Sequence, residues 1–252
     1  MILSSGRPSA FAQHSARVKA DGPSSRLTHF TTYGEPEDGD LTNSWTNDHI
    51  CGWDHADTAK LRSWLSGDQA LYDAALPAVE LLHRPKFSAK DRVIYMGIVA
   101  ESLGQSLPEA DGERDTYDFR GRRTHTTYVM RCIVHSKLDV SKWMDDIANW
   151  ARGISKYYNK TKHFQPDLTP DPSVAGILGR FMAIAIRHVA VRQALVGPDS
   201  ESQNLIVDAE SMRALEGLAY IRLGDDCWPT YHVLTERADE DDADEADEES
   251  LM

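Results

Sequence analysis

The sequence predicts a mainly α-helical protein built on a four- to five-helix bundle, and three observations carry that reading. Apolar residues between positions 88 and 197 recur at helical intervals, not at the two-residue interval of strands. Residues that start and stop helices stand at the ends of those runs. The connections between runs are short to medium, as expected for neighbours in a bundle.

The first helix is expected from Ser88, with Asp91 three residues on in the manner of a capping box, and it stops at Pro108. Val93, Ile94, Gly97, Ile98, Glu101, Leu103 and Leu107 lie along it. A polar connection over 109–123 leads to a second helix over 124–136, with Tyr128, Val129, Cys132 and Ile133 on its apolar side. The third is expected from near Ser141, because Trp143, Ile147, Trp150, Ala151, Ile154 and Tyr158 mark one face. Asp171 at the N-cap and Pro172 at the first helical position open the fourth. Its stripe runs from Val174 through Phe181 and His188 to Leu195 and ends at Gly197-Pro198. A shorter helix over 200–217 and a hairpin around Gly224-Asp225 follow. Upstream, helical spacing from Asp57 to Leu82 predicts a helix that Pro77 breaks or kinks.

Composition divides the chain into four parts. Residues 1–28 read as a flexible leader. Residues 29–86 form a small segment holding Trp45, Trp53 and Trp64. The bundle and its C-terminal extension occupy 87–235, and an acidic tail occupies 236–252. The formal charge is -13, but ten acidic residues and one arginine fall from Glu236 onward, so the rest of the chain carries only about -4. Like-charge repulsion and the lack of apolar anchors predict a disordered tail. Three roles fit it: a solubilising extension, an intramolecular mimic of nucleic-acid phosphate that shields a basic surface, or, on a scaffold, a contact for a basic partner.

Several classes are excluded. No run approaches ~18 consecutive apolar residues, so no membrane partner is expected. The N-terminus lacks the apolar core of a secretory signal. Cys51, Cys132 and Cys227 lack CxxC spacing, and a reducing cytoplasm fits them. Asp54, His55 and Asp57 lack metal-ligand spacing, so neither metal nor cofactor is expected. There is no P-loop, dinucleotide fingerprint or nucleophile elbow.

The segment with chemical content is Ile154-Ser155-Lys156-Tyr157-Tyr158-Asn159-Lys160-Thr161-Lys162-His163, at the end of the third helix. Its setting, between an amphipathic helix and a Pro-containing loop that leads into a long apolar helix, resembles the HEPN superfamily of helical bundles. Asn159 and His163 fall where the Asn and His of an Arg-Asn-x-x-x-His motif would fall, and Tyr158 stands where the arginine is expected. Ile98-Val99-Ala100-Glu101-Ser102-Leu103 is similar to an apolar-Glu-x-Leu pattern of the ApeA-like branch, a group of bacterial anti-phage, abortive-infection proteins. The resemblance covers about residues 88–197.

That resemblance implies metal-independent RNA cleavage by a homodimer whose two motifs line one cleft. His163 would move protons, since imidazole titrates near neutrality, and Asn159 would hold the backbone or His163. Charge building on the phosphorane needs a cation, and the missing arginine is expected to cost about 10²–10³ in rate. Lys156, six residues removed from His163 by the intervening chain, fits the spacing with Lys in place of Arg, although an ammonium lacks the planar fork of a guanidinium. Lys160, Lys162 and Arg180 are the candidate RNA contacts. Arg187, Arg192 and Arg131 with His135 are further cations that could enter the cleft. A lysine-rich helix end is also what the helix dipole alone favours.

Three other features bear watching. His188 is expected to be a satisfied core or interface histidine, and Glu101 to pair with a cation of the bundle. Arg120-Gly121-Arg122-Arg123 with His125 is a basic patch that fits either phosphate or a solvated loop. Two functions therefore stand side by side: an RNA-binding or RNA-cleaving defence protein, and a catalytically inactive helical scaffold.

Overall fold

Ser88 caps the first helix as its spacing predicts: its hydroxyl accepts the Asp91 N–H at 3.1 Å and donates to the Asp91 carboxylate at 2.7 Å. The helix, α1, spans Ala89–Ser106. The computed structural model describes residues 14–17, 27–30, 57–60, 62, 88–163, 171–196, 207 and 209–233. Within them β1 (His14–Arg17) pairs antiparallel with β2 (Leu27–Phe30), with His14 opposite Phe30. This pairing occupies part of the segment read as a leader; four-residue strands offer too short a pattern for periodicity to register. Asp57 accepts the N–H groups of Ala59 and Lys60 at 2.7 and 3.2 Å, an N-cap where the upstream helix is expected to begin. The three tryptophans of that segment, the Pro77 kink and the acidic tail lie outside the described residues.

Helices α2 (His125–Ser136), α3 (Ile147–Lys162) and α4 (Pro172–Leu195) complete the bundle. Thr124 and Thr127 cap α2 reciprocally, and Asp171 accepts the Ser173 N–H at 2.7 Å to start α4 with Pro172 at its first turn. Helix α3 starts later than the apolar spacing predicts. Trp143 and Met144 close a turn onto the Val140 carbonyl, and Asp146 is the cap, accepting Asn149 N–H at 3.1 Å. A tryptophan that continues the stripe is thus carried by the preceding turn. Helix α5 (Ala209–Gly217) also begins later than position 200, and β3 (Ile221–Leu223) and β4 (Pro229–Tyr231) form the expected hairpin.

The contacts of α1 fix the topology. His125 meets Gly97, Arg131 meets Gly104 and Leu107, and His135 meets Pro108. Helix α2 therefore follows α1 in the same direction, and the connection over 107–124 must return along the bundle. One ion pair fastens that return. Arg131 and Glu113, each 2% exposed, form a two-pronged pair at 2.6 and 2.7 Å. Arg131 also donates to the Gly104 and Leu107 carbonyls, while Glu113 accepts from Ala110 N–H and the Tyr117 hydroxyl. With every lone pair used, the carboxyl is held down to about 2, chiefly by the guanidinium.

Burial separates the expected stripes from the real ones. On α1 the core face is Val93, Met96, Val99, Ala100 and Leu103, while Ile98 is 49% exposed and Glu101 is exposed. Glu101 is thus no buried carboxylate: it stands on the outer side of α1. Helix α4 is buried on every side from Phe181 to Val191, because α1, α2 and α5 all pack on it. By length and composition it could cross a membrane, with an 18-residue window of mean hydropathy 1.6, but 83% of that window is buried in the bundle. His188 lies there with Nε2 3.2 Å from the Ser211 hydroxyl, the satisfied core histidine the stripe predicts.

Candidate functional site

Helix α3 carries two kinds of residue. Trp150, Ile154, Tyr157 and Tyr158 lie on the core side, while Lys156, Asn159, Lys162 and His163 are exposed and Lys160 is half-buried. Tyr157 donates its hydroxyl to the Asp171 carbonyl at 2.5 Å, tying the end of α3 to the start of α4, and burial pushes its pKa up.

Tyr158, at the position expected for arginine, is 3% exposed. Its ring stacks on His125 at 4.4 Å between centroids, and a Cβ on Gly97 would meet it at 2.2 Å, so α1 can approach only through a glycine. With Val93, Met96, Val129, Ile154 and Leu178, drawn from all four helices, Tyr158 lines a small apolar cavity. This ring is a core side chain, in a place where a guanidinium would have to be buried or displace it.

His163 ends α3; its backbone N–H bonds to the Asn159 carbonyl at 3.0 Å. Lys162 lies over the Tyr158 ring, 5.4 Å from its centroid. Lys156 does not supply the missing charge to His163. Its ammonium donates to the Asp226 carbonyl in the β3–β4 turn, with the Asp226 carboxylate 3.8 Å away. Arg180 is exposed on α4, and among the described residues no hydrogen bond, ion pair or ring contact joins it to the end of α3. Arg131, the other cation expected near the cleft, is consumed by Glu113, and Arg192 donates to the Ser136 carbonyl at 3.1 Å. Arg187 is buried. The structure therefore groups Asn159, Lys160, Lys162 and His163, and separates Lys156 and Arg180 from them.

The polar cluster that sequence reasoning missed sits beneath this end. His125 contacts the Gly97 carbonyl through Nε2 at 3.0 Å and the Ser155 hydroxyl through Nδ1 at 2.9 Å. A carbonyl only accepts, so Nε2 carries the proton and Nδ1 accepts from Ser155. Burial pushes the His125 pKa down, with the Lys162 charge adding to it and Glu101 opposing it. The Ser–His pair has the atoms of a nucleophile and base, but Ser155 is 3% exposed and the ring is capped by Tyr158. It ties α1, α2 and α3 together. The signal was Ser155, a polar residue three positions before Tyr158 on the same side of α3. His125 itself was grouped with the arginines before it.

Two of those arginines, Arg122 and Arg123, line an open groove of about 790 Å³ together with Arg114, Tyr117 and Tyr128. Arg122 pairs with Asp118 at 2.8 Å and Arg123 with Glu109. The class the fold defines is a mainly helical bundle with a basic, imidazole-bearing end on α3. No protein-family model, curated protein or solved structure matches the chain.

Proposed function

We propose that this chain is a HEPN-like helical-bundle protein that binds RNA through the exposed end of α3 and does not cleave it. The pairing of two chains and a part in anti-phage defence belong to the same proposal. One observation carries it: the position expected for arginine is Tyr158, buried and stacked on His125, while Asn159, Lys162 and His163 beyond it remain exposed. A 2'-hydroxyl attack needs a fixed cation at the phosphorane as well as an imidazole, and a preorganised donor of that kind contributes about 10²–10³ in rate. Lys156, the spacing-matched substitute, is held by Asp226. What remains at the helix end suits phosphate contact: lysine ammonium groups and an exposed imidazole.

The test is to incubate the purified chain with single-stranded RNA without metal, following binding and integrity together. The expected result is salt-dependent binding to RNA that stays intact, weakened by the Lys160→Ala/Lys162→Ala pair. Cleavage that disappears in His163→Ala would overturn the non-cleaving reading, and no binding at low salt would overturn the RNA reading.

A further inference from the structure

The most exposed large hydrophobic side chain in the described residues, Phe119, stands on a turn that is unusually well fastened. It is 90% exposed. Asp118 closes the turn: its Oδ1 accepts the N–H groups of Arg120 and Arg122 at 2.9 and 2.8 Å, and its Oδ2 accepts Arg122 Nε at 2.8 Å. Backbone bonds between Asp118 and Arg122 (2.9 Å) and from Gly121 to the Asp118 carbonyl (2.8 Å) lock the ends, with Gly121 at φ 71 in the left-handed region. Phe119 is thus held out by hydrogen bonds and not by packing. The Arg120 guanidinium lies 5.0 Å from its centroid on one face, leaving the other open.

We propose that the Phe119–Arg120 turn is a stacking platform for a base of single-stranded nucleic acid, continuous with the phosphate contacts of the α3 end. The proposal rests on the RNA-binding reading and names its anchor. Two observations join the sites. The turn leads into α2 at His125, which stacks on Tyr158, and Lys162 lies over that same Tyr158 ring, so a chain of contacts links the two sites. The chemistry also selects the ligand. A protein-docking anchor sits in an apolar surround, whereas Phe119 is followed by Arg120, Gly121 and Arg122. Acidic side chains offset most of the arginines here, through Asp118 and Glu109. An electrically balanced platform attracts polyphosphate weakly, so its contribution comes from the π-face, which any base can use.

The experiment is fluorescence anisotropy of the full chain with a short unstructured RNA and, separately, inorganic polyphosphate. Phe119→Ala is expected to weaken RNA binding roughly 5- to 100-fold, the range for loss of one stacked base. Phe119→Trp should retain it, and polyphosphate binding should be unchanged in both. Because Phe119 is exposed, circular dichroism should match wild type. The inference is overturned if Phe119→Ala binds RNA like wild type while Lys160→Ala/Lys162→Ala weakens it; the α3 reading then stands alone, and Phe119 serves a protein partner or none. Equal loss of RNA and polyphosphate in Phe119→Ala also overturns stacking. Failure of wild type to bind any RNA removes both readings.

Discussion

Two histidines near the end of α3 are handled in opposite ways. His125 has both ring nitrogens bonded, to Gly97 and Ser155, and one face covered by Tyr158. His163, five residues beyond Tyr158, is exposed at the helix end. The first is fixed in one neutral tautomer; its depressed pKa reflects the burial that makes charging it costly. The second is open to solvent, and among the described residues no ion pair or hydrogen bond fixes a cation to its ring. What separates structure from function here is not residue type, since Ser, His and Tyr make the buried cluster, but whether a ligand can reach the atoms.

The sharpest way to break that comparison is to force the expected motif onto the buried position. Tyr158→Arg would remove the ring that fills the space beside Gly97 and place an unpaired guanidinium there. Such changes cost about 3–5 kcal/mol or more. The expected outcome is a large loss of stability in urea denaturation with no gain of RNA cleavage. Cleavage by a stably folded Tyr158→Arg protein would show that the site has a catalytic geometry after all.

Arg131→Met comes next, because it leaves the Glu113 carboxylate buried without its cation, a loss of about 3–5 kcal/mol. Adding Glu113→Leu should restore only part of the stability, since Ala110 N–H and the Tyr117 hydroxyl then lose their acceptor. The return connection over 107–124 should open first, read by hydrogen exchange at Ala110 and Thr116.

Titration should resolve the two regimes. His125 and His135 both have pKa values lowered from about 6.5, mainly by burial. The unfolded chain therefore binds more protons than the native one once pH falls below about 6.5. Their contribution is complete above that value and is lost as pH falls from there through the depressed native values. Glu113 acts at lower pH: its stabilising contribution is present above about 4.5 and is lost as pH falls through about 2. A displacement of that size corresponds to about 3 kcal/mol. Denaturation midpoints measured across pH should show two declining phases, and Arg131→Met should erase the lower one.

Much of this was legible in the chain, for identifiable reasons. Ser88 and the Asp171-Pro172 pair announce helix starts through local hydrogen bonding and a fixed φ, so α1 and α4 begin where expected. Tyr158 belonged to two patterns at once, the apolar stripe of α3 and the arginine position of the motif, and the stripe describes its environment. Trp143 shows the limit of periodicity: a residue can keep the spacing while its backbone is a turn. The Glu113–Arg131 pair was hidden because its partners are eighteen residues apart, in a connection that reads only as polar. His125 was hidden for the same reason, since its partners Gly97 and Ser155 lie on other helices. Phe119 gave no signal because exposure is a property of the folded turn.

The smallest effect probes the one imperfection in the buried cluster. The Tyr158 hydroxyl is buried and has no protein hydrogen-bond partner among the described residues. An unsatisfied buried hydroxyl costs about 1–3 kcal/mol, whereas the ring around it contributes packing and the stack on His125. Tyr158→Phe keeps the ring, the stack and the cation–π contact with Lys162 while deleting only the orphaned oxygen. The expected outcome is a gain of about 1 kcal/mol in urea denaturation with RNA affinity unchanged. A loss of stability would mean that the hydroxyl is satisfied in solution, and the boundary between the sealed and open parts of α3 would then lie at Tyr158 itself and not beyond it.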